Sequence, residues 1–175
     1  MIDYKNIKLI ISDIDGVWTD GSIYRGTENI ELKKFSVFDG VGVAYARAAD
    51  LKIAIISARY SPATEYRAKE LGIKDVYNGG LNKLHAYNDL KEKYKLSDDQ
   101  IAYLGDDMVD IPVMEIVALP IAVANATPDI MKLAKHVTKV SGGDGAFREA
   151  VEWIIEKQGR TEELYKIMRA KVLNS

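Results

Sequence analysis

Short apolar runs alternate with longer segments of helical periodicity along this chain. The apolar runs cover residues 8–12, 52–57, 75–77, 101–104 and 119–123. They are short and nearly continuous in apolar side chains, which is typical of strands buried on both faces of a parallel sheet. The pattern therefore predicts a strand at each of these positions.

Helical segments are predicted between these strands. They lie at about 41–50, 61–71, 81–94 and 109–117, and a fifth begins near residue 127. The pairs Ser61-Pro62 and Thr127-Pro128 each join a capping residue to a proline in the first helical position. Strands that alternate with helices favour right-handed crossovers. The predicted fold class is therefore α/β, a doubly wound parallel sheet with helices on both faces, in which ligands bind beyond the carboxyl ends of the strands.

Two segments depart from this alternation. Residues 17–38 contain glycines and two short alternating runs, which predict a β-hairpin flap after the first strand. Residues 159–175 form a charged C-terminal tail, either a short amphipathic helix or a mobile segment. Because no repeat or linker divides the chain, residues 1–175 are predicted to form one domain.

The composition narrows the class of protein. The 175 residues include 24 basic and 26 acidic side chains, a formal net charge of −2 and no cysteine. A disulfide framework and a thiolate metal site are thereby excluded, and the basic surface typical of nucleic-acid binding is missing. No apolar run approaches the ~20 residues of a membrane-spanning helix, and the first residues do not resemble a signal peptide. We therefore expect a cytoplasmic protein with neither a nucleic-acid nor a membrane partner.

A pair of carboxylates ends the first predicted strand. Asp13 and Asp15 are separated by one residue and followed by Gly16. Two carboxylates this close repel each other unless a cation or a proton lies between them, and Mg²⁺ prefers such oxygen ligands. A calcium loop of the EF-hand type does not fit, because Val17 and Trp18 stand where that loop needs an oxygen ligand and a glycine. Taken alone, the pair could still be two solvated turn aspartates.

A second acidic strand end favours the metal site. Gly105 is followed directly by Asp106 and Asp107, and Asp110 comes three residues later. Because the carboxyl ends of parallel strands open on one edge of a sheet, we expect these side chains to meet Asp13 there. Without a bound cation their repulsion would cost on the order of several kcal/mol.

Two further residues could complete a site for a phosphoryl group. Ser57 ends the second apolar run, where its hydroxyl and the following amides could bind a phosphoryl oxygen, or where it could simply cap a helix. Lys83 lies at a helix start, a position that the helix dipole disfavours for a cation unless an anion is held there. A solvated lysine is the alternative.

The ordered set of these motifs resembles the haloacid dehalogenase superfamily of phosphatases. Segments 34–40, 105–112 and 142–149 narrow the resemblance to the sugar-acid phosphatases of lipopolysaccharide biosynthesis that act on 3-deoxy-D-manno-octulosonate 8-phosphate. The resemblance covers nearly the whole chain. It implies a Mg²⁺-dependent phosphoric monoester hydrolase.

The resemblance also implies a role for each motif residue. Asp13 would be the nucleophile that forms an aspartyl-phosphate. Asp15 would protonate the leaving sugar oxygen and then activate the hydrolytic water. The Asp13 carboxylate, the Asp15 backbone carbonyl and Asp106 would hold Mg²⁺, while Ser57 and Lys83 would bind phosphoryl oxygens.

Other positions match family residues around this centre. Asp107 and Asp110 would orient waters or Lys83 from behind the metal ligands. The implied substrate-binding residues are Asp15, Ser36, Val37, Phe38, Asp39, Gly40, Arg59, Arg67 and Lys83. An exposed helix position is the alternative for Arg67.

The spacing of the motifs leaves no room for a cap domain. Neither the interval from Asp15 to Ser57 nor that from Ser57 to Lys83 can hold the additional ~50 residues of a separate domain. Related capless phosphatases are tetramers in which flap hairpins form an inner barrel. The resemblance therefore implies a homotetramer, with the tail of residues 159–175 reaching a neighbour's site.

Two departures from the family pattern bear on the substrate. Ala44 stands where a basic residue usually meets the sugar-acid carboxylate, although Arg47 could supply that charge from one turn further on. Asp144 stands where relatives often carry Lys or Arg. Ketodeoxynonulosonate 9-phosphate is the alternative substrate, although Arg59 favours the eight-carbon sugar. A non-catalytic assembly module of a sugar-nucleotide enzyme is the alternative of another class.

Overall fold

The computed structural model describes residues 2–28 and 30–174. Its strands are β1 (Leu9–Ser12), β2 (Tyr24–Arg25), β3 (Glu31–Leu32), β4 (Lys52–Ser57), β5 (Asp75–Asn78), β6 (Ile101–Gly105), β7 (Leu119–Ala122) and β8 (His136–Val137). Its helices are α1 (Val37–Ala48), α2 (Pro62–Glu70), α3 (Lys83–Tyr94), α4 (Ile111–Met114), α5 (Pro128–Leu133), α6 (Ala146–Lys157) and α7 (Thr161–Leu173).

Six of the strands form one parallel sheet in the order β5-β4-β1-β6-β7-β8. The chain winds outward from β1 through β4 to β5 and then returns to place β6 on the other side of β1. This reversal is the topological switch point at which doubly wound sheets bind ligands. Ser12 pairs with Ile55 on one side and with Leu104 on the other, so the chain leaves all three strands at one edge.

Helices cover both faces of the sheet. Helix α1 packs on α6, whereas α3 packs on α4, which also contacts α5. All four residues of β1 and all five of β6 are buried, as the continuous apolar pattern predicts. The predicted α/β class, a doubly wound parallel sheet with a flap, is confirmed, and residues 2–28 and 30–174 include no cap domain.

The flap is an antiparallel hairpin between β2 and β3, in which Tyr24 lies opposite Leu32 and Arg25 opposite Glu31. The C-terminal tail forms α7, which contacts α1 and α6. The predicted boundaries, 1–175 for the domain and 17–38 for the flap, include positions 1, 29 and 175, which lie outside the described residues.

Several elements differ from the sequence expectations. The edge strand β8 has two residues and α6 follows a glycine-rich loop; neither was predicted. The helix expected at 109–117 is a 3₁₀ turn at Met108–Asp110 followed by the four-residue α4. Helix α1 begins at Val37 rather than near residue 41, because the Ser36 side chain accepts a hydrogen bond from Phe38 N. No helix in the described ranges is long and apolar enough to cross a membrane.

Candidate active site

Carboxylates from two neighbouring strand ends meet at the switch point. One oxygen from each of Asp13, Asp106 and Asp110 lies within 4.8 Å of the others. Gly16 allows this approach, because a Cβ atom there would lie 2.0 Å from Asp106 Oδ2, and its φ of +85° is in the left-handed region. The loop after β1 can therefore pack on Asp106 only with glycine at this position.

The same loop is fixed from its other side by residues far along the chain. The Gly16 carbonyl accepts a 2.9 Å hydrogen bond from Asn125 Nδ2, and Asn125 Oδ1 accepts one of 2.6 Å from Gly142 N. A Cβ atom on Gly142 would lie 1.8 Å from Gly16 O. The glycine-rich segment before α6 therefore supports the backbone that carries the first acidic pair.

Lys83 lies within the acidic cluster, not in solvent. It is the first residue of α3, and its side chain is fully buried. Its Nζ lies 2.9 Å from Asp13 Oδ1 and 2.6 Å from Asp110 Oδ1. The two carboxylates supply the negative charge that offsets both burial and the helix dipole.

Asp110 is held entirely by protein donors. Besides Lys83, its Oδ1 accepts a 2.6 Å hydrogen bond from the Tyr103 hydroxyl. Its Oδ2 accepts hydrogen bonds from the backbone amides of Asp106 and Asp107, at 2.9 Å and 3.3 Å. Asp110 therefore joins the lysine to the loop that carries Asp106. The neighbouring Asp107 is exposed and caps the 3₁₀ turn through Met108 N.

The surroundings raise the pKa of two carboxyl groups. Burial, followed by the charge of Asp110, raises the pKa of Asp13 to about 7 even though Lys83 lowers it. Burial, followed by the charge of Asp13, raises the pKa of Asp106 to about 8. Burial opposes the charge of Lys83, but Asp13 and Asp110 raise its pKa above the usual value. One buried lysine thus does not neutralise the cluster.

The donor set suits a divalent cation. Asp106 Oδ1 is buried and has no hydrogen-bond partner among residues 2–28 and 30–174. It belongs to a group of carboxylate oxygens from Asp13, Asp106 and Asp110, and hard cations such as Mg²⁺ bind oxygen ligands of this kind. Both carboxylate oxygens of Asp110 already accept hydrogen bonds from protein donors. The oxygens of Asp13 and Asp106 are therefore the ones available to a cation.

The acidic groups open on a cavity of about 340 Å³. Its lining includes Asp13, Asp15, Ser57, Arg59, Asp106 and Asp107. Ser57 lies at the carboxyl end of β4, where its hydroxyl donates a 3.0 Å hydrogen bond to Arg59 O. The structure thus brings together the predicted acidic, serine and arginine residues, with Lys83 behind Asp13.

The flap adds two charged residues that the sequence analysis did not identify. Lys33 Nζ lies 2.6 Å from Asp15 Oδ1. Glu31 forms an ion pair with Arg59, and its Oε1 accepts a 2.8 Å hydrogen bond from Ser61 Oγ. The hydrogen bond from Arg59 lowers the pKa of Glu31 to about 2. Their spacing of two residues was the available signal, since Glu31 lies in β3 and Lys33 directly follows that strand.

Other predicted substrate residues do not line the acidic cavity. The Asp39 side chain is buried and accepts a 3.1 Å hydrogen bond from Arg148 N, at the start of α6. Burial raises the pKa of Asp39 to about 6. Ser36 caps α1, and Phe38 is exposed beside Arg148. The segment is thus the start of α1, and its side chains are not among those that line the acidic cavity.

A second cavity of about 700 Å³ lies between α1 and α7. Val37, Gly40, Ala44 and Arg67 are among its lining residues. Arg67 is paired with Glu70 and donates a hydrogen bond to Ser36 O, so it is neither a freely exposed helix residue nor part of the acidic cavity.

The side chains of Arg47 and Asp144, which bear on the choice of substrate, contact residues outside the acidic cavity. Arg47, the candidate replacement for a basic residue at position 44, donates a hydrogen bond to Leu71 O. Asp144 forms a 3.1 Å ion pair with Lys34 on the surface. Within one chain, neither residue contributes to the acidic cavity.

Comparisons with known proteins agree on the family. Residues 28–149 match the haloacid dehalogenase-like hydrolase family. The chain is 44% identical over 163 residues to 3-deoxy-D-manno-octulosonate 8-phosphate phosphatase KdsC of Escherichia coli, across 93% of this chain and 87% of that protein.

Solved structures show the same relationship. The 3-deoxy-D-manno-octulosonate 8-phosphate phosphatase of Yersinia pestis superimposes with a TM-score of 0.88 at 43% identity, over 91% of this chain and 86% of that one. The Moraxella catarrhalis enzyme, solved with a magnesium ion, a phosphate ion and a KDO molecule, has a TM-score of 0.90 at 33% identity, over 94% and 95% of the two chains. The protein described here belongs to the haloacid dehalogenase-like hydrolase family.

Proposed function

We propose that this protein is a Mg²⁺-dependent phosphatase that hydrolyses 3-deoxy-D-manno-octulosonate 8-phosphate through an aspartyl-phosphate on Asp13. The observation that carries the proposal is the position of Asp13. Its carboxylate lines the cavity at the switch point, 2.9 Å from the buried Lys83 ammonium and grouped with Asp106. The relatives at 33–44% identity named above support the choice of substrate.

The first step transfers the phosphoryl group to the protein. A carboxylate oxygen of Asp13 attacks phosphorus, and the bond between phosphorus and the sugar oxygen breaks. Asp15, two residues later on the same cavity wall, donates its proton to the departing oxygen. In the second step Asp15 takes a proton from water, which attacks phosphorus and releases inorganic phosphate and the Asp13 carboxylate.

The charges around Asp13 support this chemistry. Asp13, Asp106 and the Asp15 backbone carbonyl would hold Mg²⁺, consistent with the unpartnered oxygen of Asp106. A bound Mg²⁺ ion neutralises the repulsion between the nucleophile and the phosphoryl oxygens. Ser57 on the cavity wall and Lys83 beside Asp13 would stabilise the charge on the transferred group.

The sugar acid requires a cation for its carboxylate. Arg59 lines the acidic cavity, where it is paired with Glu31, and it supports the eight-carbon substrate as the cation that the sugar carboxylate would meet there. Ala44 and Arg47 supply no charge there, which keeps ketodeoxynonulosonate 9-phosphate as the alternative. The complete set of Asp13, Lys83 and Asp106 argues against a non-catalytic assembly module.

The proposal includes a cytoplasmic homotetramer of lipopolysaccharide biosynthesis. Large apolar side chains are exposed on the flap and on α7, namely Ile23, Tyr24, Ile30, Leu32, Tyr165, Val172 and Leu173. Exposed apolar patches of this kind support association through the flap and the C-terminal helix. Sedimentation of the active enzyme should give a tetramer, and an active monomer would contradict this part of the proposal.

The test is phosphate release from a panel of sugar phosphates with Mg²⁺ and with EDTA. The eight-carbon ketoacid phosphate should give the highest kcat/KM, and EDTA should abolish turnover. Asp13→Asn should abolish turnover while circular dichroism stays that of the parent protein. Preference for the nine-carbon ketoacid would select the alternative substrate, and no Mg²⁺-dependent release from any phosphate would overturn the proposal.

A further inference from the structure

The flap places a buried lysine directly on the proposed acid–base residue. Lys33 Nζ lies 2.6 Å from Asp15 Oδ1, and the Lys33 side chain exposes no surface, whereas that of Asp15 is 26% exposed. Lys33 also donates a 3.3 Å hydrogen bond to Thr64 Oγ1. Burial of an ammonium group is costly unless a charge partner compensates it, so the ion pair with Asp15 fixes both side chains.

A second contact docks the same segment of the flap against the cavity wall. Glu31 in β3, two residues before Lys33, pairs with Arg59 and accepts a hydrogen bond from the Ser61 hydroxyl. The flap therefore contacts the site at two points, where Glu31 pairs with Arg59 and Lys33 pairs with Asp15. The first contact helps to hold Lys33 beside Asp15.

The neighbouring lysine shows that the contact with Asp15 is specific to one position of the flap. Lys34 lies in the next position and pairs with Asp144 at 3.1 Å, with both side chains more than half exposed. It has the same charge and length as Lys33 but makes no contact with Asp15. Lys34 is therefore a matched control.

We propose that Lys33 is a positioning residue that holds the Asp15 carboxyl group where it delivers its proton to the leaving oxygen. The inference rests on the proposed phosphatase function. Lys33 pairs with the buried Oδ1 of Asp15, whose side chain remains 26% exposed and lines the acidic cavity. The proton that Asp15 took from water in the preceding hydrolysis moves to the sugar oxygen of the next substrate as its bond to phosphorus breaks. The Lys33 ammonium stabilises the Asp15 carboxylate that remains between these two transfers and keeps its own protons throughout.

Two substrates with different leaving groups distinguish this positioning role from a purely structural one. The sugar alkoxide must be protonated to depart, whereas p-nitrophenolate departs as a stable anion. The ratio kcat/KM reports only the steps up to the first irreversible one, here formation of the aspartyl-phosphate. Misplacement of Asp15 therefore lowers kcat/KM for the sugar phosphate and spares p-nitrophenyl phosphate.

The experiment compares Lys33→Met, Lys33→Arg and the control Lys34→Met on both substrates with saturating Mg²⁺. For Lys33→Met we expect kcat/KM to fall by roughly 10- to 100-fold with 3-deoxy-D-manno-octulosonate 8-phosphate and to change by less than about threefold with p-nitrophenyl phosphate. Lys33→Arg, which keeps the cation, should show a smaller loss confined to the sugar phosphate. Lys34→Met should match the parent protein with both substrates.

Equal losses with both substrates, or no loss with either, would overturn the role of Lys33. If Lys33→Met does not fold, Lys33→Arg takes its place in the comparison. A loss confined to the sugar phosphate would then support the role, and equal losses with both substrates, or none with either, would overturn it. Failure of the proposed function looks different, because the parent protein itself would then release no phosphate from the sugar phosphate.

Discussion

Lys83 Nζ lies 2.6 Å from Asp110 Oδ1, and neither side chain exposes any surface to water. The pair links the start of α3 to the loop after β6, and Asp110 in turn binds the backbone amide of Asp106. The lysine beside the proposed nucleophile is therefore positioned by a carboxylate that lies outside the cavity lining.

Loss of this carboxylate should destabilise the protein. Asp110→Asn leaves the buried Lys83 paired with Asp13 but removes the charged acceptor of its 2.6 Å hydrogen bond, and a hydrogen bond to a charged group contributes about 1.5–3 kcal/mol. Urea unfolding should show this decrease in the free energy of unfolding. Asp107→Asn is the control, because Asp107 is exposed, and its effect should stay within about 0.5 kcal/mol. Equal effects of the two substitutions would contradict the structural role of Asp110.

Mg²⁺ should stabilise the folded protein. The carboxylates of Asp13 and Asp106 meet only in the folded chain, so the ion binds the folded state preferentially. At 100 times its Kd, the ion should add about 2.7 kcal/mol to the free energy of unfolding. Calorimetry should show a Tm higher than in EDTA, by roughly 2–4 °C per kcal/mol. Asp106→Asn should remove most of this shift, and an undiminished shift would place the ion elsewhere.

The stability of the metal-free protein should fall as pH rises. The pKa of Asp13 is raised to about 7 and that of Asp106 to about 8, above the ordinary value of 3.8. Between about pH 4 and pH 8 the folded state therefore binds more protons than the unfolded state, and the free energy of unfolding decreases with pH. Urea midpoints in EDTA should show this slope, and saturating Mg²⁺ should flatten it. Parallel slopes in EDTA and in Mg²⁺ would contradict the assignment.

Asp39 should contribute to stability through α6. Its side chain accepts the hydrogen bond from Arg148 N, and Asp39→Ala would leave that buried amide without its acceptor, at a cost of about 1–3 kcal/mol. Asp39→Asn keeps an acceptor oxygen and should lose less in the same urea experiment. A fall in kcat/KM for Asp39→Asn without loss of stability would instead support the substrate contact that the family pattern implies.

The amino-acid pattern was sufficient to predict the sheet and the side chains at its carboxyl edge. Continuous apolar runs specify strands buried on both faces, and parallel strands open on the same edge, so Asp13, Ser57 and Asp106 had to lie close together. Local spacing was sufficient here because each residue directly follows or ends its strand.

Which other residues reach that edge depends on packing between segments that are distant in sequence. The spacing of two residues between Glu31 and Lys33 does not say what either side chain contacts. The same holds for Asp39, which faces α6 rather than the acidic cavity because residues 39 and 148 are brought together by the packing of α1 on α6. These contacts join segments distant in sequence, and their geometry depends on how the whole chain packs.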